Sequence, residues 1–136
     1  MAKPHLSDTD YAMLADFRYT LRQFMTFSEG AAATQGLTAQ QHQALLAVRA
    51  AQPDTATIGF VADRLILKPH SATGLIDRLE KLGLLVRRPS TVDRRQALLE
   101  LTAKAETILA ELSATHREEI RRLRPLLTAL LDRAAE

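Results

Sequence analysis

The chain contains no cysteine and no tryptophan, and aromatic residues make up only 4% of it. Without cysteine there is no disulfide framework, no thiolate zinc site and no cysteine redox sensor. That fits a reducing compartment, and the cytoplasm is the expected location. With so few aromatics, Leu and Ala must build the core, and both favour helices. No apolar run approaches the roughly 20 residues of a membrane span. The first ten residues, Met1 to Asp10, lack the apolar stretch of a signal peptide. No membrane partner is expected.

The sequence also lacks the marks of an enzyme. It has no Gly-rich phosphate loop, no nucleophile elbow and no pair of carboxylates arranged for acid–base work. Asp77 and Glu80 share one helix face but sit among arginines, which suits surface ion pairing. The four histidines, His5, His42, His70 and His116, show no metal-ligand spacing, although His42 and His116 can approach each other in a fold. No cofactor or metal is expected.

What is present is a soluble composition: 136 residues, 46% hydrophobic and 25% charged. One domain is the natural expectation at this length. Net charge is only +2, but it is unevenly spread. From Asp63 to Arg95 there are eight Lys or Arg against four Asp or Glu; the remainder carries ten against twelve. A basic third of a chain is either an ordinary solvated face or a surface for phosphate.

Local signals divide the chain into helices and one hairpin. Ser7 and Asp10 mark a helix start, and Tyr11, Leu14, Phe17, Leu21, Phe24 and Met25 then recur at helical spacing to about Ala33, with Gly36 as the stop. Thr38 and Gln41 have capping-box spacing ahead of a second helix, which Gln52-Pro53-Asp54 ends. Thr57 caps a short helix through Leu65. Pro69 suits the first turn of another, whose buried stripe is Ala72, Leu75, Ile76, Leu79 and Leu82, with Gly83 at its end. The period then changes: Leu84–Arg88 and Arg95–Leu101 read as two short strands joined by a turn that Pro89 and Ser90 begin. Thr102 caps a long helix. Pro125 should end it or kink it sharply, leaving Leu126, Leu127, Leu130 and Leu131 on a short last segment.

A short helix, a turn, a second helix and a basic hairpin form a winged helix-turn-helix. The fold class is therefore mainly α, with a two-stranded β wing between long N- and C-terminal helices. The second helix can enter a major groove. It would present His70, Ser71, Thr73, Gly74, Asp77 and Arg78. Ser71 and Thr73 suit phosphates or base edges, Arg78 suits guanine or phosphate, and Gly74 leaves room for close approach. Arg87, Arg88, Arg94 and Arg95 bracket the hairpin turn with Asp93 among them, more charge than a solubilising tip needs. Such a wing can lie along the backbone and place an Arg in the minor groove. The competing function is a winged helix used only for protein contacts, which would not need these arginines.

The segment Asp93-Arg94-Arg95-Gln96-Ala97-Leu98-Leu99-Glu100-Leu101-Thr102 resembles the wing signature of the MarR family of bacterial regulators: an Asp, an Arg two residues on, then Leu-Thr. Leu75 to Leu84 resembles the family's recognition helix and the turn after it. Thr57 to Leu65 resembles its first helix-turn-helix helix, and Leu37 to His42 the start of the helix before that. The resemblance implies one domain over 1–136, with dimerisation helices at 7–36 and 102–136 and a DNA-binding lobe at 37–101. It implies a homodimer on a pseudo-palindromic duplex DNA operator, with half-sites about one turn apart, ~10 bp. Arg95 would enter the minor groove, oriented by a salt bridge to Asp93. Repression is the family's usual mode, relieved by a small aromatic or phenolic effector. Arg18, Arg22, Phe24, Phe27 and His42 are the candidate pocket residues, since a cation beside aromatics suits an aromatic carboxylate; alternatively the two Phe are dimer core and the arginines are solvated. Two departures stand out. Only Pro125 separates the last two predicted helices, where the family has a longer polar connection. Phe60 stands where a polar residue is common, as extra core or as an exposed contact.

Overall fold

The computed structural model describes residues 3–135. Its elements run α1 (Asp8–Thr34), α2 (Ala39–Ala50), α3 (Ile58–Leu65), α4 (Pro69–Lys81), β1 (Leu85–Pro89), β2 (Ala97–Leu101) and α5 (Ala103–Ala134). The mainly helical winged-helix class read from the sequence is the fold observed. No helix among the described residues is long and apolar enough to cross a membrane.

The helix starts follow from side-chain capping. Ser7 with Asp10, and Thr38 with Gln41, form reciprocal capping boxes that satisfy otherwise orphaned backbone N–H groups. The Thr57 and Thr102 hydroxyls accept from Phe60 N and Ala105 N. Pro69 opens α4, where a missing N–H costs nothing. Gly36 and Gly83 take left-handed φ values of 74° and 73° at the ends of α1 and α4, a conformation that glycine adopts without a Cβ clash.

One core joins these elements. Leu45 and Val48 of α2, Val61 of α3, Leu75, Ile76 and Leu79 of α4, Leu84, Leu85 and Leu99 of the wing, and Leu109 and Leu112 of α5 pack together. Phe60 is half-buried against this cluster, which places it in the core. The strands pair antiparallel in the register Leu85↔Leu101, Arg87↔Leu99 and Pro89↔Ala97. The wing is also tied inward. Leu99 N donates to Ala56 O at 2.7 Å, and Thr102 Oγ1 donates to Gly83 O at 2.7 Å.

At Pro125 the structure decides against a helix end. The proline neither ends the last helix nor leaves a separate short one, because α5 runs unbroken from Ala103 to Ala134 around it. A proline inside a helix forfeits one hydrogen bond and costs about 3 kcal/mol. Leu123 and Leu130, both buried, lie on either side of it, and α5 packs along α1. Arg133 near the far end also reaches Asp16 of α1 at 3.6 Å. Burying leucines on both sides of the proline offsets the local cost, at roughly 1.5–3 kcal/mol per side chain.

Candidate nucleic-acid interface

The amphipathic pattern of α4 settles which way it faces. Ala72, Leu75, Ile76 and Leu79 are buried. His70, Ser71, Thr73, Asp77 and Arg78 are exposed on the other side, and Gly74 is half-buried. The Thr73 hydroxyl donates to Pro69 O at 3.1 Å, a back-bond it must release to donate elsewhere. A Cβ at Gly74 would sit 3.6 Å from Arg78 Nη1, so the guanidinium lies along the helix beside the glycine. Arg78 also borders a groove shared with Glu29, Gln40 and Gln41.

The four wing arginines divide in two. Arg87 shares a strand face with buried Leu85 and pairs opposite buried Leu99, so it points inward, toward α4. There Arg87 donates to Asp77 Oδ1 at 2.6 Å and to Glu80 Oε1 at 2.7 Å. Arg88 points the other way and pairs with Glu100, its diagonal neighbour across the ladder. Arg94 and Arg95 lie in the connecting turn. Arg94 is exposed and has no ion pair among the described residues. The Arg95 side chain is 92% exposed, and its Nε lies 3.4 Å from Asp93 Oδ1.

Asp93 is itself fixed. Its Oδ1 accepts the Arg95 backbone N–H at 3.0 Å, and its own N–H donates to Ser90 Oγ at 3.1 Å. Ser90 is buried and also accepts from Val92 N at 3.2 Å, so one hydroxyl organises the turn. Sequence reasoning took Ser90 only as the start of the turn. The Ser-x-x-Asp spacing is the signal that identifies its second role. Likewise, sequence reasoning saw Asp93 as the only acid opposing the wing arginines and did not assign Asp77, Glu80 and Glu100 as partners of Arg87 and Arg88.

The candidate pocket residues are partly gathered. Phe24, Phe27 and His42 surround His116, with ring centroids 6.0, 5.5 and 4.8 Å from it. Arg22 and Phe27 line a groove of about 510 Å³ with Tyr19, Gln23, Glu119 and Arg122. A second groove of about 520 Å³ runs between α1 and α5 past Phe27, Thr34 and Leu112. Arg18 is exposed on α1. In this region the Glu119 carboxyl is held below its ordinary range by the hydrogen bond from Arg122, whose guanidinium is correspondingly raised. Among the described residues no group of three metal-ligating side chains converges.

The arrangement is an exposed polar helix face beside an arginine-tipped hairpin. A model of the MarR family matches residues 35–96, which span α2, α3, α4 and most of the wing. The regulator MhqR of Bacillus subtilis is 33% identical over 60 residues, 44% of this chain and 41% of MhqR. The chain spans less than half the length of the curated relatives it matches. Among solved structures, AbsC, a MarR family transcriptional regulator from Streptomyces coelicolor, superposes with TM-score 0.76 at 21% identity, covering 98% of this chain and 94% of AbsC. A mutant of Staphylococcus aureus MepR bound to an oligodeoxyribonucleotide gives 0.68 at 19% identity, over 96% of this chain and 99% of the other. CouR of Rhodococcus jostii bound to p-coumaroyl-CoA gives 0.67 at 21%, over 94% and 90%. The named family and relatives are transcriptional regulators rather than enzymes. The wing signature, the fold and the matched helix-turn-helix agree: over residues 35–96 the chain is similar to the MarR family, and it shares the fold of MarR family regulators.

Proposed function

We propose that the chain is a homodimeric repressor that binds a pseudo-palindromic duplex through α4 and the wing, and that a small aromatic acid releases it. The observation that carries this reading is Arg95, almost wholly exposed to solvent yet oriented by an Asp93 that is itself held by Ser90. An arginine held out in this way is prepared for a narrow, electronegative groove. His70, Ser71, Thr73, Gly74 and Arg78 would meet the major groove, with Arg94 on the backbone. Residues 37–101 then form the DNA-binding lobe, and α1 and α5 the dimerisation arms. Tyr11, Leu14, Leu21 and Met25 of α1 and Ile120, Leu126 and Leu131 of α5 are large apolar side chains left exposed in the single chain, which a second copy would cover. The DNA-bound MepR relative and the acyl-CoA-bound CouR relative support the DNA and effector parts of the reading. The groove of Tyr19, Arg22 and Phe27 offers an aromatic acid both stacking and a cation.

The test is fluorescence anisotropy with duplex DNA from upstream of the chain's own gene against random duplex, across a salt series. Tight binding with a clear preference for the upstream duplex, lost in Arg95→Ala, is the expected result. Equal, weak binding to both, unchanged in Arg95→Ala, would point to a protein-contact module instead.

A further inference from the structure

Where the arms meet the lobe, a buried pair of imidazoles joins three helices. His42 of α2 is 3% exposed and its Nδ1 has no hydrogen-bond partner among the described residues. His116 of α5 lies with its ring centroid 4.8 Å away. His116 is fully bonded: Nδ1 is 2.7 Å from Leu112 O, and Nε2 is 2.8 Å from Ser28 Oγ of α1. A carbonyl only accepts, so the proton sits on Nδ1, and Nε2 accepts the Ser28 hydroxyl. Phe24 and Phe27 close the cluster edge-on from α1.

A proton added to His42 has nowhere favourable to go. Its Nδ1–H would find no acceptor, and the facing His116 already donates its one proton to Leu112. Buried donors without partners, and buried charges above all, are costly. The groups around the pair do not compensate. From α1 the neighbours are Ser28 and the two phenylalanines, none of them charged. From α5 the charged neighbour is Glu119, one turn beyond His116 and already paired with Arg122. Burial pushes the His42 imidazole below the ordinary histidine range, and any charge on the facing His116 would push it further.

We propose that His42 makes the junction between arms and lobe proton-sensitive, so that acidification frees α2 from α1 and α5 and weakens operator binding. This rests on the DNA-binding reading above. The sign follows from linkage. His42 titrates lower folded than unfolded, so its contribution is complete above the unfolded histidine value of 6.5 and is lost as pH falls below it. Because α2 packs on α3, α4 and β2, its release changes where the recognition helix sits relative to the arms. Most acid effects on DNA binding run the opposite way, since protonation adds positive charge to a protein surface.

The experiment compares the full chain with His42→Phe and His42→Gln between pH 8 and 5.5, by upstream-duplex affinity, thermal unfolding and amide exchange of α2. In the unmodified chain, affinity falls by up to about tenfold by pH 5.5, one pH unit below the ordinary histidine value of 6.5, and α2 exchange accelerates in the same window. Both variants lose these dependences. The same acid-induced loss in both variants overturns the proposal. Should neither variant fold, side-chain NMR of the unmodified chain decides. A His42 resonance that titrates at the ordinary value while α2 stays protected also overturns it. No preference for the upstream duplex at pH 8 would sink the DNA reading alone, and the unfolding and exchange measurements would still judge the junction.

Discussion

The base and the tip of the wing carry the same residue and use it differently. At the base, Arg87 bridges Asp77 and Glu80 of α4, and Arg88 is matched by Glu100. At the tip, Arg94 has no ion pair among the described residues, and Arg95 pairs with Asp93. Strand alternation produces the first half of this contrast. Arg87 lies on the face of Leu85 and Leu99 and so meets α4, whereas Arg88 lies on the face of Glu100. The turn produces the second half, because its residues have no opposing strand to supply acids. Of the four arginines in one hairpin, two therefore set its posture and two lie at the exposed tip, which the proposed function would set against a polyanion. Counting basic residues overstates the charge a hairpin offers outward, since three of the four arginines have an acid partner within the fold.

The largest expected effect comes from breaking the tip. In Arg95→Ala the specific affinity should fall by about 1–3 kcal/mol for each lost contact, of which the proposed dimer would lose two. The salt slope should shrink as counterion release is lost. Thermal stability should not move, because a side chain 92% exposed packs against almost nothing. Anisotropy in a salt series together with a thermal melt separates the two readouts. A drop in melting temperature that matches the loss of affinity would show that Arg95 belongs with the base.

Arg87→Ala should come second, and with a different signature. Removing it leaves Asp77 and Glu80 unpaired on α4 and cuts the only ion pairs between α4 and β1 found among the described residues. Half-exposed pairs of this kind contribute up to about 1 kcal/mol. Both melting temperature and affinity should therefore fall, the latter about tenfold, with little change in salt slope. Arg87→Lys should restore only part of this, since an ammonium cannot span two carboxylates as a guanidinium fork does. A reduced salt slope in Arg87→Ala would instead make it a phosphate contact.

These assignments show what the sequence could disclose. Capping residues read the same in both: Ser7, Thr38, Thr57, Pro69 and Thr102 start helices where local chemistry requires it. The identity of the wing and of α4 was equally open, since period and turn residues are local. What stayed hidden depends on distance in space. The partners of Arg87 lie 7 and 10 residues away on another element, and Ser28 meets His116 across 88 residues. Pro125 misled because the local cost of a helical proline is visible in sequence, while the packing of α5 on α1 that offsets it is not. The pocket residues were only partly gathered for the same reason: Phe24, Phe27 and His42 converge on His116 and Phe27 also shares a groove with Arg22, whereas Arg18 is exposed on α1.

Exposure alone does not separate a contact from a structural residue, and Ile66 sharpens that point. It ends α3 in the left-handed region at φ 54° and is 93% exposed, as open as Arg95. A β-branched side chain there costs about 1–2 kcal/mol, of which glycine would return part after its own entropy cost of about 0.5–1 kcal/mol. Ile66→Gly should therefore raise stability by roughly 0.5–1 kcal/mol, as a higher melting temperature. Affinity for the upstream duplex should stay level if the turn only connects α3 to α4. A stabilised variant that binds more weakly would place Ile66 in the DNA contact beside the wing tip.

The smallest effect should come from Arg88→Ala, and it is the variant that most directly tests the division of the wing. Both partners of this pair are more than half exposed, and exposed pairs contribute about 0–1 kcal/mol at most. Glu100 loses a partner but remains hydrated, so the melting temperature should barely shift. On DNA, the loss of one positive charge is offset in no other way, yet that charge is already matched by Glu100, so affinity should change less than about threefold, under 1 kcal/mol. The comparison to make is at matched salt against Arg95→Ala, since the two variants change net charge equally. If they weaken binding equally, the duplex responds to the total charge of the hairpin, and the distinction between base and tip has no functional meaning. If Arg88→Ala leaves binding nearly intact, position at the exposed tip decides which arginines a polyanion meets.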